Sequence, residues 1–254
     1  MSRRRLAVAL VAVAVMASGC NSGALNSWLA AHGKPRLAEP QLSRMVTFLT
    51  AIEDEVARRA GYVGEISTVD AARLGLSWRP GCPVQPTDLR LLRLSYWGFD
   101  GAGHVGEMVV NAKIASKVVG AFRTLWNEKF PINHMETAER YVSPDNINPD
   151  GSWKPGPDVP DTVDDTSSFL CRTATDSTST SMHAYGLAID INPVQNPYVK
   201  GSEVIPVNGS RDAAAPGTIV AGGVVVTAFA TAGLIWGGTW SSLKDFMHFS
   251  SNGR

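Results

Sequence analysis

Hydrophobic positions along this chain recur with two periods. Met45 to Ala60 carries Val46, Leu49, Ile52 and Val56 at intervals of three and four, one face of a helix, with Gly61 as its stop. A second stripe of Ile114, Val118, Phe122 and Leu125 predicts a helix that Asn111 caps and Pro131 closes. A third helix is expected near Val224 to Ala232. Between these lie strand-like runs. Leu89 to Phe99 is rich in Leu, Tyr, Trp and Phe, and strand resumes over Glu107 to Val110, after the Gly101 to Gly106 loop. Leu187, Ile189 and Ile191 alternate with Ala188, Asp190 and Asn192, a strand with one buried face. A Trp/Gly turn then leads to a last strand around Phe246 to Phe249. Ser143 to Asp165, rich in Pro, Gly, Asp and Asn, predicts a long exposed loop. Helices and strands mix without a βαβ rhythm, so the expected class is α+β, a small antiparallel sheet with flanking helices.

The start of the chain has a different character. Arg3, Arg4 and Arg5 precede an apolar run, Leu6 to Ala17, whose twelve residues suit a signal peptide and are too few for a membrane span. Ala17-Ser18-Gly19-Cys20 resembles a bacterial lipobox, although Ala17 stands where a larger aliphatic residue is usual. That reading implies cleavage before Cys20, a lipid on its thiol and membrane contact through the anchor only. A plain signal peptide ending at Val15-Met16-Ala17 is the other reading, and both export the chain. Asn21 to Ser43 lacks periodicity and reads as a tether. If Cys20 is lipidated, Cys82 and Cys171 remain as an even pair in an oxidising place. A disulfide between them and two buried thiols both fit.

Composition removes some classes. Hydrophobic residues at 44% and charged residues at 18% describe a globular protein of 254 residues. Lys+Arg and Asp+Glu both number 23 and no basic run follows residue 5, which excludes a nucleic-acid partner. Gly101-Ala102-Gly103-His104-Val105-Gly106 matches a nucleotide-loop pattern, but no helix opens after it. Ser241-Ser242-Leu243-Lys244 matches the serine penicillin-binding signature without its companion motifs, and no H-E-x-x-H occurs.

The candidate chemistry lies in two of the five histidines. His183 and Asp190 are seven apart, so a straight strand would point them to opposite faces, and Gly186 can supply the bend that lets them converge. His248 follows Asp245 by three residues in the last strand, sharing a face with Phe246 opposite Met247 and Phe249. Two imidazoles and a carboxylate suit zinc, which accepts N and O ligands and keeps a fourth position open in catalytic sites. Spacing alone is weak: a lone histidine is more often a surface or hydrogen-bonded residue than a ligand.

Ser168 to Arg172, the S-x-H-x-x-G-x-A-x-D segment from Ser181 to Asp190, Asn192-Pro193, Asn196 to Tyr198 and the W-G-G-x-W then D-x-x-H-F ending resemble one zinc peptidase family. That family is the D-alanyl-D-alanine carboxypeptidases and L-alanyl-D-glutamate endopeptidases of the VanY type. Ser95 to Gly101 is similar to it as well, so the likeness spans about residues 80 to 250. The resemblance implies a fold shared with lysostaphin-like enzymes and hedgehog domains. It implies one Zn2+ on His183, Asp190 and His248, Asp245 as catalytic acid/base, and Arg172 binding substrate and the developing oxyanion. Ser181 would be a neighbouring substrate or ligand contact, and peptidoglycan stem peptides the substrate. Thr173 to Thr180 departs from the family's glycine-rich stretch. The expected organisation is a leader over 1–20, a tether over 21–43, a helical extension over 44–79 and a zinc peptidase domain over 80–254. A lipid-tethered, non-catalytic zinc module that binds peptidoglycan is the alternative, and it has no need of Asp245 or Arg172.

Overall fold

A computed structural model describes residues 61–148, 154, 160–174 and 177–253, with scattered positions between 26 and 45. The chain divides into two units, Met1–Ala60 and Gly61–Arg254. In the first, the Asn26 side chain exchanges hydrogen bonds with the backbone of Leu37, accepting at 2.9 Å and donating at 3.2 Å. The leader and Cys20 lie outside the described residues, as does the helix expected over Met45 to Ala60 apart from Met45, which is helical. No helix among the described residues is long and apolar enough to cross a membrane.

The second unit begins earlier than the expected boundary at residue 80. Strand β1 (Gly64–Thr68) pairs along its whole length with β2 (Leu89–Trp97), and a short helix α1 (Ala71–Leu74), capped by the Asp70 side chain, leads on from it. Glu65 to Thr68 are exposed on this edge strand, so no apolar alternation betrayed it. β2 forms a nine-pair antiparallel hairpin with β3 (Gly103–Asn111). Leu89, Leu92, Leu94, Met108 and Val110 of that hairpin are fully buried.

Helix α2 (Ala115–Asn127) packs on this sheet and on α3 (Val224–Thr231). Its stripe of Val118, Phe122 and Leu125 is buried as the spacing requires. Its ends differ from the expectation. Asn111 is the last residue of β3 and not a cap: its Oδ1 accepts from Lys113 N and its Nδ2 donates to Tyr185 O. The helix stops before Pro131 because Lys129 turns left-handed at φ 52°.

The remaining strands are short. β4 (Ala188–Asp190), β9 (His248–Ser250) and β7 (Ile235–Trp236) form one sheet in the order β4-β9-β7. β6 (Glu203–Ile205), β5 (Tyr198–Lys200) and β8 (Lys244–Asp245) form another in the order β6-β5-β8. The last strand is therefore split: β8 and β9 belong to different sheets, and Met247 lies at the break, its carbonyl accepting from Ile191 N. β4 is buried on both faces, not one. Phe229 of α3 joins the layers, edge-on to Phe122 at 5.6 Å and against Phe249 at 4.8 Å. Burying each such phenyl contributes on the order of 1.5–3 kcal/mol. The architecture is α+β, with three small antiparallel sheets among the described residues in place of one.

The segment expected to be an exposed loop ends inside the protein. Pro144–Asn146 and Pro160–Val163 are 3-10 turns, and Asn146, Asp164 and Asp165 are buried. Asp164 Oδ1 accepts from Val194 N and Asp165 Oδ1 from Glu136 N, while Asp165 Oδ2 is buried without a partner. Burial pushes the Asp165 carboxyl well above its ordinary value.

Candidate metal centre

The segment after that loop fastens the site to the large sheet. Ser167 and Asp190 exchange backbone hydrogen bonds at 3.1 and 2.9 Å, Phe169 N donates to Val109 O of β3, and Cys171 N donates to Ser77 O. Cys171 is joined to Cys82 by a disulfide, Cα to Cα 5.9 Å, and Arg79 Nη1 donates to the Cys171 carbonyl at 2.7 Å. Residue 172 therefore starts from a doubly anchored neighbour. From there Arg172 to Ala174 run antiparallel to Ser179 to Ser181, bridged between Thr173 and Thr180.

Ser181 ends this hairpin and starts the turn Met182–Tyr185, its Oγ accepting from His183 N at 3.2 Å. Gly186 closes the turn at φ 65°, the left-handed conformation that redirects the chain into β4. An added Cβ there would lie 2.7 Å from Asn111 N, whose N–H donates to the Gly186 carbonyl, so only glycine fits against β3. With the bend made, His183 and Asp190 face one another. The register of β4 and β9 then sets Asp190 opposite His248.

The three side chains are buried and their ligand atoms lie within 4.8 Å of one another. His183 Nε2 is 3.0 Å from Asp190 Oδ2 and 3.2 Å from His248 Nδ1, which is 3.0 Å from Asp190 Oδ1. His183 Nδ1 donates to Ser168 O at 2.6 Å, which orients the ring so that Nε2 faces the Asp190 carboxylate. Two imidazoles and a carboxylate converging in a buried site offer a cation three ligand atoms. The N, N, O set and the buried carbonyl behind His183 fit zinc. Burial pushes the Asp190 carboxyl up, but His183 and His248 outweigh it and hold it well below the ordinary carboxylate range.

Asp245 comes from β8, whose pairing with Tyr198 fixes it. Gly237 lets it approach: a Cβ on that glycine would lie 2.6 Å from the Asp245 carbonyl oxygen. Oδ1 of Asp245 is buried without a hydrogen-bond partner. Burial pushes this carboxyl up to about 7, with His248 and Arg172 pulling against it and Asp190 and Asp161 adding to it. Trp240 lies 5.6 Å from the His248 ring, and its indole Nε1 is likewise buried without a partner.

All six sequence-expected positions, Arg172, Ser181, His183, Asp190, Asp245 and His248, line one pocket of about 370 Å³. Met247, expected on the opposite face from His248, lines it too, because the chain bends between β8 and β9. Ser181 acts on the backbone of His183. Arg172 lies on the wall, with Nη1 donating to Thr173 O at 3.2 Å.

Asp161, on the turn Pro160–Val163, is a lining residue that the sequence reading did not single out. Burial and Asp190 push its carboxyl up to about 6, with Arg172, His183 and His248 opposing. No spacing rule ties it to His183, and its Pro- and Asp-rich surroundings read as loop.

No curated protein and no solved structure matches the chain. Residues 175–251, the stretch that supplies His183, Asp190, Asp245 and His248, match the family model of D-alanyl-D-alanine carboxypeptidases, which supports a hydrolase of the zinc-dependent peptidase class.

Proposed function

We propose that this protein is a zinc-dependent peptidase that hydrolyses peptidoglycan stem peptides, as a D-Ala-D-Ala carboxypeptidase or an L-Ala-D-Glu-type endopeptidase. The observation that carries this reading is one pocket holding the three converging ligand atoms and, beside them, a buried and unsatisfied Asp245 oxygen. Held by His183, Asp190 and His248, zinc supplies Lewis acidity, polarising a carbonyl and making water a better nucleophile near neutral pH. The chain's own groups supply the rest. Asp245, whose carboxyl burial brings near neutrality, takes a proton and returns it to the leaving amine. Arg172 offers a planar, permanently charged fork to a substrate carboxylate or to charge growing on the carbonyl oxygen. Ser168 O and Ser181 Oγ hold His183 in place while this happens.

The competing reading is a zinc-containing module that only binds peptidoglycan. A binding module gains nothing from burying a carboxylate oxygen without a partner, which costs on the order of 1–3 kcal/mol. Export and attachment through Cys20 belong to the proposal and rest on the leader-like residues 1–20 alone.

The test is digestion of purified muropeptides by zinc-loaded protein, with a chelated control, read by mass spectrometry. Loss of a terminal alanine or scission of the stem is expected. Unchanged product masses with full zinc would favour the binding module.

A further inference from the structure

The pocket holds more charge than the metal and the proton transfer use. Asp161 and Arg172 both line it and lie within electrostatic range of each other, yet they form no ion pair. Among the described residues the Asp161 carboxylate makes no hydrogen bond either. Its turn is held by backbone bonds alone, Asp164 N to Asp161 O and Asp165 N to Pro160 O. The backbone thus presents the Asp161 side chain to the pocket without using it. A half-buried carboxylate that the fold leaves without a donor, in one pocket with a guanidinium whose Nη1 alone donates, to the Thr173 carbonyl, has the form of a site for a ligand carrying both charges.

We propose that Asp161 is a specificity-determining substrate residue that takes an ammonium group of the peptide, opposite Arg172, which takes a carboxylate. This rests on the peptidase reading above. The ligand class is a peptide with a free amine near its scissile bond, either the α-amine of its first residue or the side-chain amine of a diamino acid. Asp161 does not join the metal ligands: its oxygens fall outside the group formed by His183, Asp190 and His248.

The probes are the stem peptide L-Ala-γ-D-Glu-L-Lys-D-Ala-D-Ala and its Nα-acetyl and Nε-acetyl forms, offered to zinc-loaded wild-type, Asp161→Asn and Asp161→Lys proteins. In wild type one of the two acetylations should lower kcat/KM by about tenfold or more, through KM, as expected for removing one partner of a partly buried charge pair. Which acetylation does so identifies the amine. Asp161→Asn should bring that ratio to about one while keeping zinc content, and Asp161→Lys should invert it. Equal losses on all three peptides, or a ratio unchanged in Asp161→Asn, would overturn the assignment, as would wild type indifferent to both acetylations. If wild type cleaves none of them, the peptidase reading fails separately, and calorimetric titration decides the subsite. Free-amine peptide must then bind wild type more tightly than acetylated peptide, a preference absent from Asp161→Asn; equal binding refutes it.

Discussion

The β2–β3 hairpin and the sheet of β4, β9 and β7 are built to opposite plans. The hairpin has nine paired residues a side and a nearly continuous buried face, so burial and a long ladder hold it. The site sheet has strands of two or three residues, too short to hold themselves. It is stable because single contacts anchor it to the larger layer: Phe169 N to Val109 O, Asn111 N to Gly186 O, and Phe249 against Phe229. The lesson is a division of labour. One region supplies burial, and the other spends its few residues on aiming polar side chains at one point.

That contrast can be broken from the site side with the largest effect. His183→Ala and His248→Ala should each lose stoichiometric zinc and nearly all hydrolysis, while circular dichroism and the hairpin's protection from hydrogen exchange stay near wild type. Elemental analysis checks the first part, and full zinc in both variants would refute the ligand assignment.

The disulfide tests the seam between the regions. It closes 89 residues and ties the Arg172 segment to the loop before β2. In the chain-entropy model Cys82→Ser with Cys171→Ser should cost about 4–5 kcal/mol, and less where the unfolded chain retains structure. Denaturant unfolding measures it. KM should rise alongside, because residue 172 loses one anchor.

A smaller effect comes from pH. Burial raises Asp161 to about 6 and Asp245 to about 7 from an ordinary 3.8, so the folded metal-free protein holds protons that the unfolded chain has released. The stability these groups contribute is whole below about pH 4 and declines as pH rises towards 7. Asp190, held low, acts only below its ordinary value, outside that window. Zinc favours the ionised carboxylates and should flatten the decline. Unfolding midpoints at pH 5 and pH 7.5, with and without metal, decide the point; metal-free stability that rises over this range contradicts it.

Smallest is Ser181→Ala, which removes the cap on the His183 turn and should cost about 1 kcal/mol. Its sharper readout is a weakened zinc affinity with the hairpin unaffected.

The same division explains what could be read in the sequence. His183, Gly186 and Asp190 lie within eight residues, and Asp245 and His248 within four, so local spacing exposed them. The α2 stripe was legible because a helix buries one face at a fixed period. β1 was not, since an exposed edge strand shows no alternation. Asp161 reaches the pocket on a turn held by Asp164 N to Asp161 O and Asp165 N to Pro160 O, and nothing in a Pro- and Asp-rich run announces that. The split between β8 and β9 was hidden for a related reason: Phe246 to Phe249 alternates well enough for one strand, and only the pairing of Asp245 with Tyr198 places β8 in another sheet.

The central claim, a zinc site that performs hydrolysis with Asp245 as proton carrier, is tested most directly by one variant. Asp245→Asn keeps the size and the turn, so it should bind zinc as wild type does and fold as well. Its kcat on stem peptides should fall by about 10²–10⁴-fold with KM little changed, because the proton moves only on the way to the transition state. An Asp245→Asn protein with full zinc and near wild-type kcat would contradict the account.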